Sequence, residues 1–302
     1  MSGRRVRRVR VRAPAKINLD LRVGRRRADG FHEVATILQS IALHDTLSIT
    51  VRRGPLTVRC AASRVPAGRE NLVWAAGAAL WRALGRAGDP SGAAVVIRKR
   101  IPTAAGLGGA SSDAASALRA LQFCWAPLGS PRRLEDLAAT VGSDVPFFLR
   151  GGTLRATGRG ERLRRLRALP RHWVVLAVPD FGVSTADAYG WWDLDGRGDA
   201  SCAPAGPPRG WRRDPSRLRN DLEAPVARRH PEIRDLAARL QAAGALHAAL
   251  TGSGSVVFGL FGSRVRAIEA CGLVRAAGRR AHLTRTIDAV ACARLAAVAR
   301  IN

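Results

Sequence analysis

Pro102-Thr103-Ala104-Ala105-Gly106-Leu107-Gly108-Gly109-Ala110-Ser111-Ser112-Asp113 is the stretch on which the fold turns. Its residues are small, so a ligand can approach the backbone, and its glycines permit positive φ. A helix is expected to begin where it ends. The unpaired N–H groups of that helix's first turn, at the positive end of its dipole, form an anion site. Ser111 and Ser112 add hydroxyl donors, and ATP phosphates are the natural anion. A Walker A loop would need Lys before its Ser/Thr, and no lysine is present. A dinucleotide fingerprint would need glycine where Ser111 stands. Taken alone, the stretch also reads as a small-residue turn capped by serine.

Working outward, 94–98 reads as a short strand leading in. Residues 112–123 read as a helix with Ala115, Leu118 and Leu121 on its apolar face. The first sixty residues alternate like strands: Val6, Val9 and Val11, then Ile17, Leu19, Leu21 and Val23, then 46–53 and 56–60. Helical spacing marks 71–84, with Gly85 and Gly88 past its end, and 134–141, stopped by Gly142. Strand pieces follow over 151–163, and 173–178 is a short apolar run of the buried-strand kind. From 193 to 217 apolar patterning gives way to Gly, Pro, Ser and Arg, the composition of a mobile loop. Helices are expected over 221–229 and 233–243, a hairpin from 246–250 and 256–261, a helix over 264–271 and a strand over 281–286. Strands and helices do not alternate regularly, which gives an α+β class.

At 302 residues, 47% of them apolar, the chain can build a sizeable core, and two domains fit its length. Lysine and arginine number 50 against 23 acids, a net +27. Lys16 and Lys99 are the only lysines. The arginines spread through both halves, so the charge reads as a solvated surface open to any polyanion without sequence selectivity. Aromatics are only 5% of the chain, too sparse for the stacking platforms of an RNA-binding protein. Cys60, Cys124, Cys202, Cys271 and Cys292 are odd in number and show no CxxC spacing, which points to reduced thiols in a cytoplasmic protein. No apolar stretch approaches a membrane span, and the Arg-rich start lacks the apolar region of an export signal.

Further strings join the small-residue loop: Pro14-Ala15-Lys16-Ile17-Asn18-Leu19, Asp29-Gly30-Phe31-His32-Glu33, Asn71-Leu72-Val73, Gly142-Ser143-Asp144-Val145-Pro146-Phe147-Phe148, Asn220-Asp221-Leu222-Glu223 and Thr251-Gly252-Ser253-Gly254-Ser255. From about residue 12 to 262 the chain resembles the GHMP kinases. Within them it is most similar to the branch acting on a CDP-linked methylerythritol in the non-mevalonate isoprenoid route. It departs from that pattern with Ala104 and Ala110 where glycine is usual, Thr103 where Met is frequent, and Phe31 where Tyr is commoner.

The resemblance implies an N-terminal domain like domain 2 of ribosomal protein S5 (1–168) and a ferredoxin-like C-terminal domain (169–302). It implies transfer of the γ-phosphoryl of ATP, with Mg²⁺, to the 2-hydroxyl of the CDP-linked alcohol. A sister GHMP kinase of mevalonate, homoserine or a sugar would share the loop but have no use for a cytosine slot. Asp144 is then the base that takes the hydroxyl proton, and Lys16 stabilises the alkoxide. As residues, Asp144 reads equally as a helix cap and Lys16 as a surface lysine on an edge strand. Residues 102–112 hold phosphate, Asn71 and Lys99 face the adenine, and Ser112 is the Mg²⁺ candidate. Asn18, Phe31 and His32 form the substrate shell, with Thr185 and Tyr189 opposite. The expected partner is a small molecule, with no membrane and no specific nucleic acid, and the protein a monomer or homodimer.

Overall fold

The computed structural model describes residues 8–61, 65–196 and 208–301. Two long strands dominate the first half: β1 (Arg8–Arg26) and β2 (His32–Pro55), an antiparallel pair. Then come β3 (Thr57–Cys60), α1 (Leu72–Ala83), β4 (Ser91–Arg98), α2 (Gly109–Cys124), α3 (Pro131–Val141), α4 (Val145–Arg150), β5 (Thr153–Gly158) and β6 (Arg162–Arg165). β3 and β4 are parallel and joined through α1, a β-α-β crossover. The sheet runs β11-β1-β2-β4-β3, with β5 and β6 continuing from the other part of β2.

The second half holds β7 (Trp173–Val178), α5 (Thr185–Leu194), α6 (Glu223–Arg229), α7 (Glu232–Ala242), β8 (His247–Leu250), β9 (Val257–Phe261), α8 (Arg264–Ala276) and β10 (Arg280–Arg285). Its antiparallel sheet runs β10-β7-β9-β8, the ferredoxin-like order expected for this half. The chain ends with α9 (Ala289–Leu295) and β11 (Ala299–Ile301).

The expected domain split needs one correction. Residue 168 does fall between β6 and β7, where the chain leaves one sheet for the other. β11, however, returns to pair with the edge of β1, and α9 packs on β1 and β2. The chain's last residues therefore belong with the first sheet. The 193–217 stretch also differs from the mobile loop expected. Asp193 and Leu194 close α5, and Trp211 and Pro215 are buried. Its middle, 197–207, lies outside the described residues, as do Val6 and Cys202. Cys60, Cys271 and Cys292 are free thiols. Among the described residues no helix is long and apolar enough to cross a membrane.

The first half of β2 is absent from the strand pattern read in the sequence because it is covered on both faces. Leu38 packs into the core beneath α1 and α2, with Val73, Leu118 and Phe147. Its neighbours Ile37 and Ile41 point the other way, into a cluster with Val174, Leu176 and Phe258 of the second sheet. A strand buried on both sides loses its period of two. This junction between the sheets positions the site.

Candidate active site

The small-residue loop is seated on backbone from both halves. The Lys16 N–H donates to Leu107 O (3.1 Å), and the Thr251 hydroxyl donates to Gly106 O (3.4 Å). The same hydroxyl accepts from the Asn18 N–H (2.9 Å). Gly106 lies at φ +72, and a Cβ there would fall 1.9 Å from Thr251 O. Gly108 caps α2 at φ +70, against Phe148 and the Lys16 stem. The first intrahelical bond is Ser112 N–H to Gly108 O (2.9 Å), so the N–H groups of Gly109, Ala110 and Ser111 have no carbonyl within α2. They open on a cavity of about 790 Å³ lined by residues 102–111. The loop thus presents unpaired N–H groups to the cavity and is not only a serine-capped turn.

Lys16, packed against the loop, and Asp144 line the same cavity. Lys16 comes from β1 and is buried; its ammonium donates to Asn18 Oδ1 (2.5 Å) and lies 4.0 Å from Asp144 Oδ2. Burial lowers its pKa, and the Asp144 charge works against that shift. Asn18 is held in turn, donating from Nδ2 to Thr36 Oγ1 (2.8 Å), which donates to Asp20 O (2.6 Å). Asp144 stands at the start of α4 but its side chain caps nothing, and it is 37% exposed. A carboxylate free of backbone duty, beside a buried ammonium in the cavity that the loop lines, is equipped to take a proton from a hydroxyl.

Comparison with known proteins shows the family. The GHMP kinases N terminal domain matches residues 71–152, and the GHMP kinases C terminal model matches 211–279. A 4-diphosphocytidyl-2-C-methyl-D-erythritol kinase from Pelotomaculum thermopropionicum is 42% identical over 281 residues, 91% of this chain and 97% of its own. Its counterpart from Geobacter sulfurreducens is 39% identical, covering 92% and 98%. The crystal structure of a 4-(cytidine 5'-diphospho)-2C-methyl-D-erythritol kinase superposes with a TM-score of 0.76 at 35% identity, over 92% of this chain and 98% of that one. The chain belongs to the 4-diphosphocytidyl-2-C-methyl-D-erythritol kinase family of GHMP kinases. It is an ATP-dependent kinase. A homoserine kinase from Cytophaga hutchinsonii shares the fold at 16% identity, with a TM-score of 0.70.

Within this GHMP kinase the remaining expected residues fall into three groups. Thr185, Tyr189, Asn18, Asn71 and Lys99 line the same cavity as the loop. Asn71 is committed, capping α1 through Val73 N–H (2.9 Å) and donating to Pro66 O (2.7 Å). Lys99 sits between two buried carboxylates, Asp45 at 2.5 Å and Asp113 at 2.8 Å. Both side chains therefore meet the cavity as walls whose polar atoms are already engaged.

Ser112 is corrected outright. It is fully buried and donates to Pro14 O (2.6 Å), tying α2 to β1, so no cation reaches its oxygen. Its neighbour Ser111 lines the cavity instead.

Phe31 and His32, expected in the substrate shell, are not among the residues lining the cavity. Phe31 is 55% exposed, with Arg159 over its ring at 5.2 Å. His32 is buried behind Tyr189, stacked on it at 5.2 Å, with Nε2 2.7 Å from Asp193 Oδ1. Burial and the Asp144 charge push the Tyr189 phenol pKa up, so it stays protonated.

Sequence reading missed several contributors. Arg159 and Gly160 line the cavity from the β5–β6 turn. Asn220 donates to both Leu250 O and Gly252 O (2.8 Å each), bracing the Thr251 turn beneath the loop. Asp113 was visible as the end of the quoted stretch; only the fold shows that it meets Lys99.

Proposed function

We propose that this kinase transfers the γ-phosphoryl of ATP to the 2-hydroxyl of 4-(cytidine 5'-diphospho)-2-C-methyl-D-erythritol. The observation that carries the reading is the Lys16–Asp144 pair and the N-terminus of α2 within one cavity. The phosphate chain of ATP lies against the N–H groups of residues 109–111 and the Ser111 hydroxyl. Gly106 and Gly108 let the loop take this course, since a Cβ at either would overlap Thr251 or Phe148. Asp144 accepts the proton of the attacking hydroxyl. Lys16 balances the charge that grows on that oxygen, and the burial that lowers its pKa also gives a dry setting in which its field is strong.

Mg²⁺ supplies charge neutralisation among the phosphates when bound with ATP. Among the described residues no group of three or more His, Cys, Asp or Glu could hold a metal. Ser111, whose hydroxyl lies in the cavity beside the N-terminus of α2, is the residue that would offer it an oxygen.

The alcohol's cytidine end is received by Tyr189 and Thr185, with Phe31 at the rim beside Arg159 and His32 behind Tyr189, steadying its ring. A nucleobase offers a face for an aromatic to stack on. We read the protein as a monomer or homodimer working in the cytoplasm. The test is a coupled ADP-release assay offering the CDP-linked alcohol beside mevalonate and homoserine. Turnover on the CDP-linked alcohol alone is expected; a preference for either competitor would refute the substrate assignment while leaving the kinase fold intact.

A further inference from the structure

The net charge of +27 is not laid evenly over the surface. β1, β2, β4 and β3 bury their odd-numbered or helix-facing residues under α1 and α2 and turn the others outward. The register fixes what stands beside what on that outer face. Arg8 pairs with Thr50, Arg10 with Ser48 and Arg12 with Thr46 across β1–β2. Thr50, Ser48 and Thr46 pair onward with Ala94, Val96 and Arg98 of β4. Val96 pairs with Arg59 of β3, and Ala94 with Thr57. Arg52 follows Thr50 by two residues on the same side of β2. Arg8, Arg10, Arg12, Arg52, Arg59 and Arg98 are all exposed.

The outer face therefore carries arginines on β1 and further arginines on β4 and β3. A row of hydroxyls, Thr46, Ser48 and Thr50, lies between them. Residues 8–13, 46–60 and 91–98 contain one net sign only: no Asp, no Glu and no aromatic residue. Elsewhere in the chain Arg22, Arg27, Arg150, Arg219, Arg228, Arg229 and Arg279 are each paired with a carboxylate. Among the described residues none of the six on this face forms an ion pair, a side-chain hydrogen bond or a ring stack. Like charges gathered on one sheet face repel each other, and among the described residues no carboxylate pairs with them.

We infer that this face is a docking surface for the phosphate–ribose backbone of double-stranded RNA, bound without regard to sequence. The chemistry selects that partner. One-sign guanidinium rows fit phosphate. The absence of any aromatic leaves unstacked bases nothing to lie on, which disfavours single strands. Only Val96 is a large exposed apolar side chain here, 52% exposed, too little to enter a lipid layer. Side chains two apart along β1 repeat at about 6.8 Å, and Arg12 and Arg98 are two strands, or about 10 Å, apart. Duplex RNA offers a wide, shallow minor groove of 2′-hydroxyls edged by phosphates. A hydroxyl row flanked by arginines is complementary to it. The face is on the side of the sheet away from α2, so the inference does not depend on the kinase chemistry.

The test measures binding of a labelled RNA duplex of about 16 bp from about 50 to 200 mM salt. One variant replaces Arg10, Arg12, Arg59 and Arg98 by Gln. A control of equal charge replaces four scattered exposed arginines, Arg82, Arg132, Arg239 and Arg294, by Gln. The face variant is expected to lose about 100-fold or more in affinity and to flatten the log–log salt slope by roughly 3–4. The control should lose no more than a few-fold, since charges beyond about 10 Å are screened. Melting curves and ADP release of both variants confirm folding. If the fourfold variant does not fold, the Arg12→Gln/Arg98→Gln pair carries the same comparison at about half the slope change. Equal losses in face variant and control would overturn the inference, because the charge would then act as a whole. So would DNA of the same sequence, the single strand, or phosphatidylserine vesicles binding as tightly as the RNA duplex.

Discussion

Replacing Asp144 by Asn separates two jobs that the geometry assigns to one carboxylate. Asn keeps the shape and cannot undo a helix cap, because Asp144 caps nothing. The melting temperature should therefore hardly move. The electrostatic part can be bounded. Two unit charges 4.0 Å apart interact by about 4 kcal/mol at an effective dielectric of 20 and about 1 kcal/mol in water. Asp144 is 37% exposed, so solvent screening brings the value toward the lower figure. About 1 kcal/mol is worth less than roughly tenfold in rate. Loss of a general base costs about 10²–10⁴-fold. Steady-state ADP release should thus show a loss of kcat well beyond tenfold, with ATP affinity nearly unchanged because the cradle is intact. The pH profile adds a second reading. Burial already lowers the Lys16 pKa and Asp144 opposes it, so removing the carboxylate lowers it further. The alkaline limb of activity, where Lys16 loses its proton, should move to lower pH in the variant. A kcat loss of tenfold or less with an unmoved alkaline limb would refute both roles: Asp144 would then be neither the base nor the partner of Lys16.

Ala104 holds a left-handed φ of +51, a conformation costing a non-glycine residue about 1–2 kcal/mol, so Ala104→Gly should raise stability in urea by up to about 1 kcal/mol after the glycine's extra chain entropy. Gly106→Ala should do the reverse, since its Cβ would overlap Thr251 O; ATP affinity measured by calorimetry should fall at least about tenfold, or the loop is not seated as described. Phe31→Ala should leave the melting temperature unchanged, the ring being exposed, yet weaken binding of the CDP-linked alcohol by about 1–3 kcal/mol without affecting ATP; unaltered affinity would reduce Phe31 to a surface ring. Burial raises the Asp113 pKa to about 7, with Lys99 pulling it down and Asp45 pushing it up. The folded state then holds a proton that the unfolded chain releases near pH 4, so this group's contribution to stability falls as pH rises from about 4 to 7. Melting temperatures of Asp113→Asn should fall less steeply with pH over that window than the unmodified protein's.

Much of the fold was legible because its elements are amphipathic in ordinary ways. The period-two stretches of β1 and of the second half of β2, and the α7 face of Ile233, Leu236 and Leu240, show one apolar side each, while the β8–β9 hairpin, buried throughout, shows as two short apolar runs about a Gly/Ser turn. Reading fails in the first half of β2, which is covered on both sides. Residues 34–41 gave no strand signal because Leu38 and Ile37 enter different cores. α4 is one short turn and a half led by Pro146, too brief for a helical period to show. The return of β11 to β1 rests on three residues, and no local pattern announces a partner nearly three hundred positions away. At the site, the phosphate cradle, Lys16 and Asp144 were legible from motif strings. The engagement of Ser112 with Pro14 and of Lys99 with two carboxylates was not, since each depends on which element passes behind the loop.

The loop's conformation is, in the end, a property of both halves. Gly106 comes close to Thr251, Thr251 bonds the backbone of Asn18, and Asn220 braces the turn that carries Thr251. A motif from the first half is thereby shaped by a hairpin turn and a loop from the second. The strands they spring from meet in one shared core containing Ile17, Ile37, Val174 and Phe258. Packing of that kind is stiff and has few alternative arrangements. On the proposed reading, an alcohol held by Tyr189 and Thr185 of the second half would meet a phosphate held by α2 of the first at a separation fixed by the interlock, which is the positioning that a loose phosphoryl-transfer transition state requires.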